Sequence, residues 1–181
     1  ANLIRMDSDP AVAALVDTVS IKLPLLIENL GLARDAGLGA IVSQRLRPKL
    51  RTRLQVVRGG IDPLIGWSME NVEKALALQP FFKTVLDAPL ANLSSAPLGL
   101  QEVLTTKVLD TTDFDISPAD YNQRGTLAIT AALDLARAVT PIVDDLLAQR
   151  EAGLVMKRNL VFALIGAVLL LPMCPRSRKL G

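Results

Sequence analysis

Apolar and small residues recur at alternating intervals of four and three positions from Tyr121 to Leu146. This spacing keeps one side chain per turn on one face of an α-helix, as in helices that pack along their length against others. A second seam of the same spacing runs from Val12 to Ala40. Two such seams predict an all-α, up-down four-helix bundle. The seam positions are 12, 16, 19, 23, 26, 30, 33, 37 and 40, then 121, 125, 128, 132, 135, 139, 142 and 146.

Prolines and glycines set the expected limits of the first two helices. Pro10 follows Asp9 and opens the first helix, which we expect to bend at Pro24 and to run to about Arg45. Pro48 opens the second helix. Its expected kinks lie at Gly59-Gly60 and Pro63, and its expected break lies at Pro80.

Turn-forming residues dominate the segment 87–98, which contains Pro89, Ser94, Ser95 and Pro97. This composition predicts a turn region there and a shorter third helix over about 98–110, followed by a polar loop to Ser117. The sequence Ser117-Pro118-Ala119-Asp120 predicts the start of the last helix, because it places an N-cap serine, a first-turn proline and a first-turn acid in order. We expect a kink at Pro141.

An uncharged segment extends from Asn159 to Pro175. As a helix it spans ~25 Å at 1.5 Å per residue, slightly less than a ~30 Å hydrocarbon core. Lys157 and Arg158 extend it by snorkelling, and the cations that follow from Arg176 place the C-terminus in the cytoplasm. We predict a periplasmic domain over 1–156, a transmembrane helix over 157–175 that continues the last helix of the bundle, and a cytoplasmic stub over 176–181. The alternative is a buried core helix of a soluble protein.

Export of such a domain requires a signal, and the sequence opens at Ala1 without a signal peptide. We therefore expect an N-terminal anchor upstream of this segment and a cytoplasmic output module downstream of it.

Composition removes several classes of chemistry. The chain has no His and one Cys, so it cannot form a His-based triad, a His metal site or an intrachain disulfide. Its serines and carboxylates show no nucleophile–base spacing, so we expect no enzyme activity and no cofactor. A net charge of +2 and few aromatic residues argue against nucleic-acid binding.

Two stretches resemble the first and last helices of periplasmic helical sensor domains in bacterial transmembrane receptors. The first is Leu23-Pro24-x-Leu26-x-Glu28-x-Leu30-Gly31-x-x-Arg34-x-x-Gly37, and the second comprises Ile116-Ser117-Pro118-x-x-Tyr121, Thr126-x-Ala128-Ile129 and Leu147-x-x-Arg150. Such domains occur in methyl-accepting chemotaxis proteins, histidine kinases and diguanylate cyclases. The layout is similar to the nitrate- and nitrite-sensing domain. The resemblance implies an extracytoplasmic sensor that signals through its last helix.

Six cations and no acid occur between Asp35 and Asp62. They are Arg45, Arg47, Lys49, Arg51, Arg53 and Arg58. One interpretation is a site for an anion or an anionic polymer. The interpretation we favour is a solvated surface whose cations pair with Asp110, Asp113 and Asp115. These acids lie in the polar loop before Ser117, which we expect at the same, membrane-distal end of the bundle and call the distal loop.

Helix lengths place Arg34 and Arg124 at a common height, roughly 50 Å from the bilayer, with Arg58 near that level. At this height the seam residues are alanines and glycines, which indicates either close helix packing or room for a ligand. We predict ligand binding at Arg34, Arg58, Tyr121 and Arg124, since arginine forks bind anions. Internal pairing with Asp35, Asp62 or Asp120 would remove the need for a ligand.

The function predicted on these grounds is ligand sensing by an inner-membrane receptor, in chemotaxis or related signal transduction. The partners we expect are a small anion or a periplasmic protein. We expect a weak parallel homodimer through the first helix, with the Ala33/Gly37/Ala40 stretch near the two-fold axis or the pocket. The alternative function is a membrane-anchored helical scaffold without a small ligand.

Overall fold

The computed structural model describes residues 10–111 and 113–170, and for residues 157, 158 and 160–170 it describes the backbone alone. Within these residues every regular element is helical and no strand occurs, as the seams predict. The five α-helices are α1 (Pro10–Asp17), α2 (Leu23–Ser43), α3 (Pro48–Leu78), α4 (Lys83–Leu104) and α5 (Pro118–Leu170). Short π-helical segments, Thr18–Lys22 and Thr105–Leu109, follow α1 and α4, so the described residues form four long helical segments.

The chain divides into two compact units after Val143. The first unit contains α1 to α4 and the part of α5 that ends at Val143. The second unit begins at Asp144, and its described part is the remainder of α5 as far as Leu170.

The π-helical segment between α1 and α2 explains a difference from the predicted seam. Leu15 is buried before it, Thr18 is buried as its first residue and Leu23 is the next buried residue, whereas the predicted seam positions Val16 and Val19 are only half-buried. A π turn contains one extra residue, so it shifts the buried face by one position. Pro24 lies two residues after this segment. Its ring clashes with the carbonyl of the residue four positions earlier in a regular α-helix, and that residue, Ser20, lies within the π-helical segment. The helical path continues through Pro24, as expected, and ends at Ser43.

A tight turn reverses the chain between α2 and α3. Gln44 adopts the left-handed conformation at φ 51°, and the N–H of Arg45 donates to the carbonyl of Ala40 at 3.1 Å. This is a Schellman-type end to α2. Arg47 is extended and Pro48 is the first residue of α3, so the predicted start is confirmed. The α3 helix then continues without a break through Gly59, Gly60 and Pro63.

Polar contacts join the first helical segment to α3 in antiparallel order. The Nδ2 of Asn71 donates to Oδ2 of Asp17 at 2.9 Å, and the same carboxylate lies 3.7 Å from Nζ of Lys22. That ammonium also lies 5.2 Å from the centre of the Trp67 ring, within cation–π range. Near the turn, an added Cβ at Gly60 would lie 3.1 Å from Asn29.

The predicted turn region over 87–98 is wrong, because these residues belong to α4. The break expected at Pro80 does occur, as a 3-10 turn over Pro80–Phe82. Helix then resumes at Lys83 rather than near residue 98, and Leu86, Leu93, Pro97 and Leu100 are buried along one face. Burial of each large side chain contributes roughly 1.5–3 kcal/mol, which offsets the roughly 3 kcal/mol cost of an interior proline.

The start and the buried face of α5 match the prediction. The N–H of Asp120 donates to Oγ of Ser117 at 3.0 Å, which is the expected N-cap bond. All eight predicted seam positions from Tyr121 to Leu146 are buried. The helix continues past Pro141 to Leu170.

Two helical stretches among the described residues have the length and hydropathy of a membrane span. They are Pro10–Ser43 and Pro118–Met156. About a third of each apolar window is buried inside the protein, at 33% and 39%, and core helices of soluble proteins share this composition. The predicted span over 157–175 is helical as far as Leu170, and residues 171–175 lie outside the described residues.

Gly37 provides a test of the α2–α5 packing. A Cβ at this position would overlap the Tyr121 ring, with Cε1 only 2.8 Å away. We expect Gly37→Ala to lower the free energy of unfolding by about 1–3 kcal/mol, as overpacking does. Gly39→Ala is the matched control on the same helix. It is exposed with nothing described within 4 Å of the added Cβ, so it should raise stability by roughly 0.5–1 kcal/mol. Urea unfolding followed by circular dichroism measures both, and equal effects would contradict the packing.

Candidate ligand site

The side chain of Tyr121 packs the first turn of α5 against α2. Its side chain is fully buried, and its hydroxyl donates a hydrogen bond to the backbone carbonyl of Ala33 at 2.9 Å. The ring occupies the hollow left by Gly37. Burial raises the pKa of the Tyr121 phenol well above its usual range, because the charged phenolate would lose its hydration. The side chain is therefore held neutral, with its hydroxyl committed to the protein.

Arg34 packs against α5 one turn further along. Its aliphatic stem lies over Gly125, where an added Cβ would approach the Arg34 Cβ to 2.7 Å and Cδ to 2.9 Å. Its Nε donates to Oδ1 of Asp35 at 2.8 Å. The guanidinium thus has the internal carboxylate partner that removes the need for a ligand at this residue. The contact with Gly125 also brings Arg34 to the level of Arg124 along α5.

Arg124 lines a cavity of about 640 Å³ between α4, α5 and the loop that joins them. The other lining residues are Val103, Lys107, Asp115, Ile116, Ser117, Asp120, Gln123 and Leu127. Within the described part of the chain Lys107 pairs with Asp115 at 3.6 Å, and Arg124 takes part in none of the ion pairs. Among the described residues, the cavity therefore offers a guanidinium that joins no ion pair, beside polar side chains that include the carboxylates of Asp115 and Asp120.

Arg58 lies elsewhere, in a groove between α3 and α4 together with Asp62 and Gln101. The expected partner Asp62 instead accepts a hydrogen bond from Nε2 of Gln101 at 2.7 Å. The four predicted binding residues therefore do not line one cavity. Arg34 and Tyr121 lie at the α2–α5 contact, Arg124 faces the α4–α5 cavity and Arg58 faces the α3–α4 groove.

The small residues of the seams serve close packing. Ala33, Gly37 and Ala40 are buried in α2, and the first two contact Tyr121 of the same chain. This stretch is covered within the chain, so a homodimer through the first helical segment would use its outer face. Ile21 and Leu25 are about half exposed there.

We predicted that the six cations between Asp35 and Asp62, here called the basic run, pair with the acids of the loop before α5. This prediction is wrong for the described residues. Asp115 pairs with Lys107 of the neighbouring segment, and no described ion pair joins the run to Asp110, Asp113 or Asp115. The Nη1 of Arg51 donates to the backbone carbonyl of Leu109 and so caps the end of the π-helical segment after α4.

Sequence reasoning missed Lys107, which lines the cavity with Arg124. The only signal was its position just before the polar loop, and the seams gave no reason to expect it opposite the start of α5. Among residues 10–111 and 113–170, no group of three or more Cys, Asp or Glu side chains is placed to hold a metal ion.

Comparisons with protein-family models, with curated proteins and with solved structures found no match for this chain.

The single tyrosine of the chain permits a direct test of the site geometry. In the unfolded chain a tyrosine ionises at about pH 10, whereas the pKa of folded Tyr121 is raised. The folded state therefore holds its proton while the unfolded state releases it. The raised pKa of Tyr121 therefore contributes to the stability of the folded state. That contribution is complete below about pH 10 and is lost as pH rises further. We expect tyrosinate absorbance to appear only as the protein unfolds.

The Tyr121→Phe variant is the control for this titration. It should lose about 1 kcal/mol at neutral pH with its hydrogen bond and should lack the tyrosine contribution to alkaline destabilisation. Tyrosinate formation in the folded protein near pH 10 would contradict the buried placement of Tyr121.

Proposed function

We propose that the chain is the extracytoplasmic ligand-sensing domain of a bacterial transmembrane signalling receptor, built as an up-down four-helix bundle. Supporting this is α5, which is one helix from Pro118 to Leu170. The first turns of α5 contact α2 through Tyr121 and also line the Arg124 cavity. Its last residues enter the uncharged segment that begins at Asn159. A single element therefore joins a ligand-accessible cavity to an apolar segment of nearly membrane-spanning length.

The mechanism we propose is a population shift between two positions of α5 relative to α2. A small anion bound by Arg124 would contact one side of α5, while Tyr121 and Gly125 hold the other side against α2. A ligand that binds one position better than the other biases the equilibrium by that difference in affinity. Close packing at Gly37 and Gly125 favours discrete positions over a continuum. The membrane-anchored scaffold is the alternative, in which the same helix carries no ligand signal.

Topology is the first test of the receptor proposal. The variants Gln149→Cys and Ser177→Cys, each in a Cys174→Ser background, place one thiol on either side of the proposed span. With an N-terminal signal anchor supplied, intact cells treated with a membrane-impermeant thiol reagent should label Gln149→Cys and leave Ser177→Cys unlabelled until lysis. Equal labelling at the two positions would overturn the membrane-receptor proposal.

Ligand binding at Arg124 is the second test, and it separates the sensor from the scaffold. A screen of carboxylates, amino acids, nitrate and phosphate against the full chain in detergent should find an anion that raises Tm. At a hundredfold excess over Kd the stabilisation would be about 2.7 kcal/mol, and Arg124→Ala should remove it.

Arg137→Ala is the matched control for that substitution, since Arg137 is exposed on the same helix and pairs only with Asp134 among described residues. The Arg137→Ala protein should keep the shift. A screen without an Arg124-dependent shift would favour the scaffold.

A further inference from the structure

A cavity of about 460 Å³ at the α2–α3 turn is lined by four cationic side chains and no carboxylate. Its lining residues are Gly39, Ser43, Arg45, Arg47, Lys49, Leu50 and Arg53. The left-handed Gln44 reverses the chain so sharply that cations from the turn and from the start of α3 face the same space. The sequence alone shows the charges, while the turn brings them together.

These four cations have no acidic partner among the described residues. Every ion pair in that part of the chain joins other residues, and Asp115 of the distal loop is engaged by Lys107. The two remaining cations of the run face elsewhere, since Arg51 caps the segment at Leu109 and Arg58 lies in the α3–α4 groove. The local positive charge is thus concentrated in one cavity.

We propose that this cavity binds a small, multiply charged oxyanion, of the phosphate or polycarboxylate class. Three guanidinium groups provide planar forks that match such oxyanions in bidentate geometry, and Lys49 adds a point charge. Pro48 has no N–H and the Arg51 N–H bonds to the carbonyl of Arg47, so Lys49 and Leu50 provide the unpaired N–H groups of the first turn, at the positive end of the helix dipole. The cavity volume falls within the range of small-ligand sites.

Selectivity for multiple charge distinguishes this site from an ordinary solvated basic surface. A monovalent anion satisfies one fork, whereas pyrophosphate presents oxygens to several forks at once. Binding should therefore be saturable, have a stoichiometry of one per chain and be much weaker for chloride at equal ionic strength. A diffuse surface would give weak, unsaturated binding that depends on total charge alone. The inference does not depend on the receptor proposal, because Arg124 and α5 play no part in it.

The experiment is isothermal titration of the full chain in detergent with pyrophosphate, at constant ionic strength set with chloride. The Arg47→Gln/Arg53→Gln double variant should bind at least about tenfold more weakly, a difference of about 1.4 kcal/mol. The Lys74→Gln/Lys83→Gln variant removes the same charge from exposed positions outside the cavity and should bind as the parent does.

All four substituted positions are exposed, so we expect both variants to fold, and circular dichroism in chloride alone checks this. Absence of saturable pyrophosphate binding, or equal weakening in both double variants, would overturn the proposed oxyanion site.

Discussion

The packing of α5 on α2 is reciprocal, with a small residue on each helix accepting a large side chain from the other. Tyr121 fills the hollow at Gly37 and donates to the carbonyl of Ala33, while the stem of Arg34 lies over Gly125. Because neither glycine leaves room for a Cβ, the contact sets the close spacing and the register of the two helices in the conformation described. The walls of the Arg124 cavity and the proposed signal path both depend on that register.

The irregular helical segments adjust the rest of the fold to this contact. The π-helical Thr18–Lys22 shifts the buried face by one residue, so that Leu15 before it, its own first residue Thr18 and Leu23 after it all point into the core. A regular helix would turn one of these groups toward solvent. The proline-containing α4 remains helical for a related reason, since its face of buried residues from Leu86 to Leu100 outweighs the backbone cost of Pro89 and Pro97.

The charged side chains fall into two groups, those with a partner nearby in the structure and those without one. Arg34 pairs with its neighbour Asp35, Arg51 caps a helical end and Lys107 holds Asp115. These residues stabilise connections, and their charges are satisfied locally. Arg124 and the cations from Arg45 to Arg53 other than Arg51 have no such partners among the described residues. They are the residues from which binding is proposed, at two separate cavities.

The sequence by itself determined the helical class, the start of α5 at Ser117-Pro118 and its buried seam from Tyr121 to Leu146. Local capping and helical periodicity encode these features without reference to the rest of the chain. Only the tertiary structure decided the helicity of 87–98, the shifted face before Pro24 and the separation of Arg34, Arg58 and Arg124. Burial against other helices can override a proline, and the direction of a long arginine depends on which neighbouring helix offers it space.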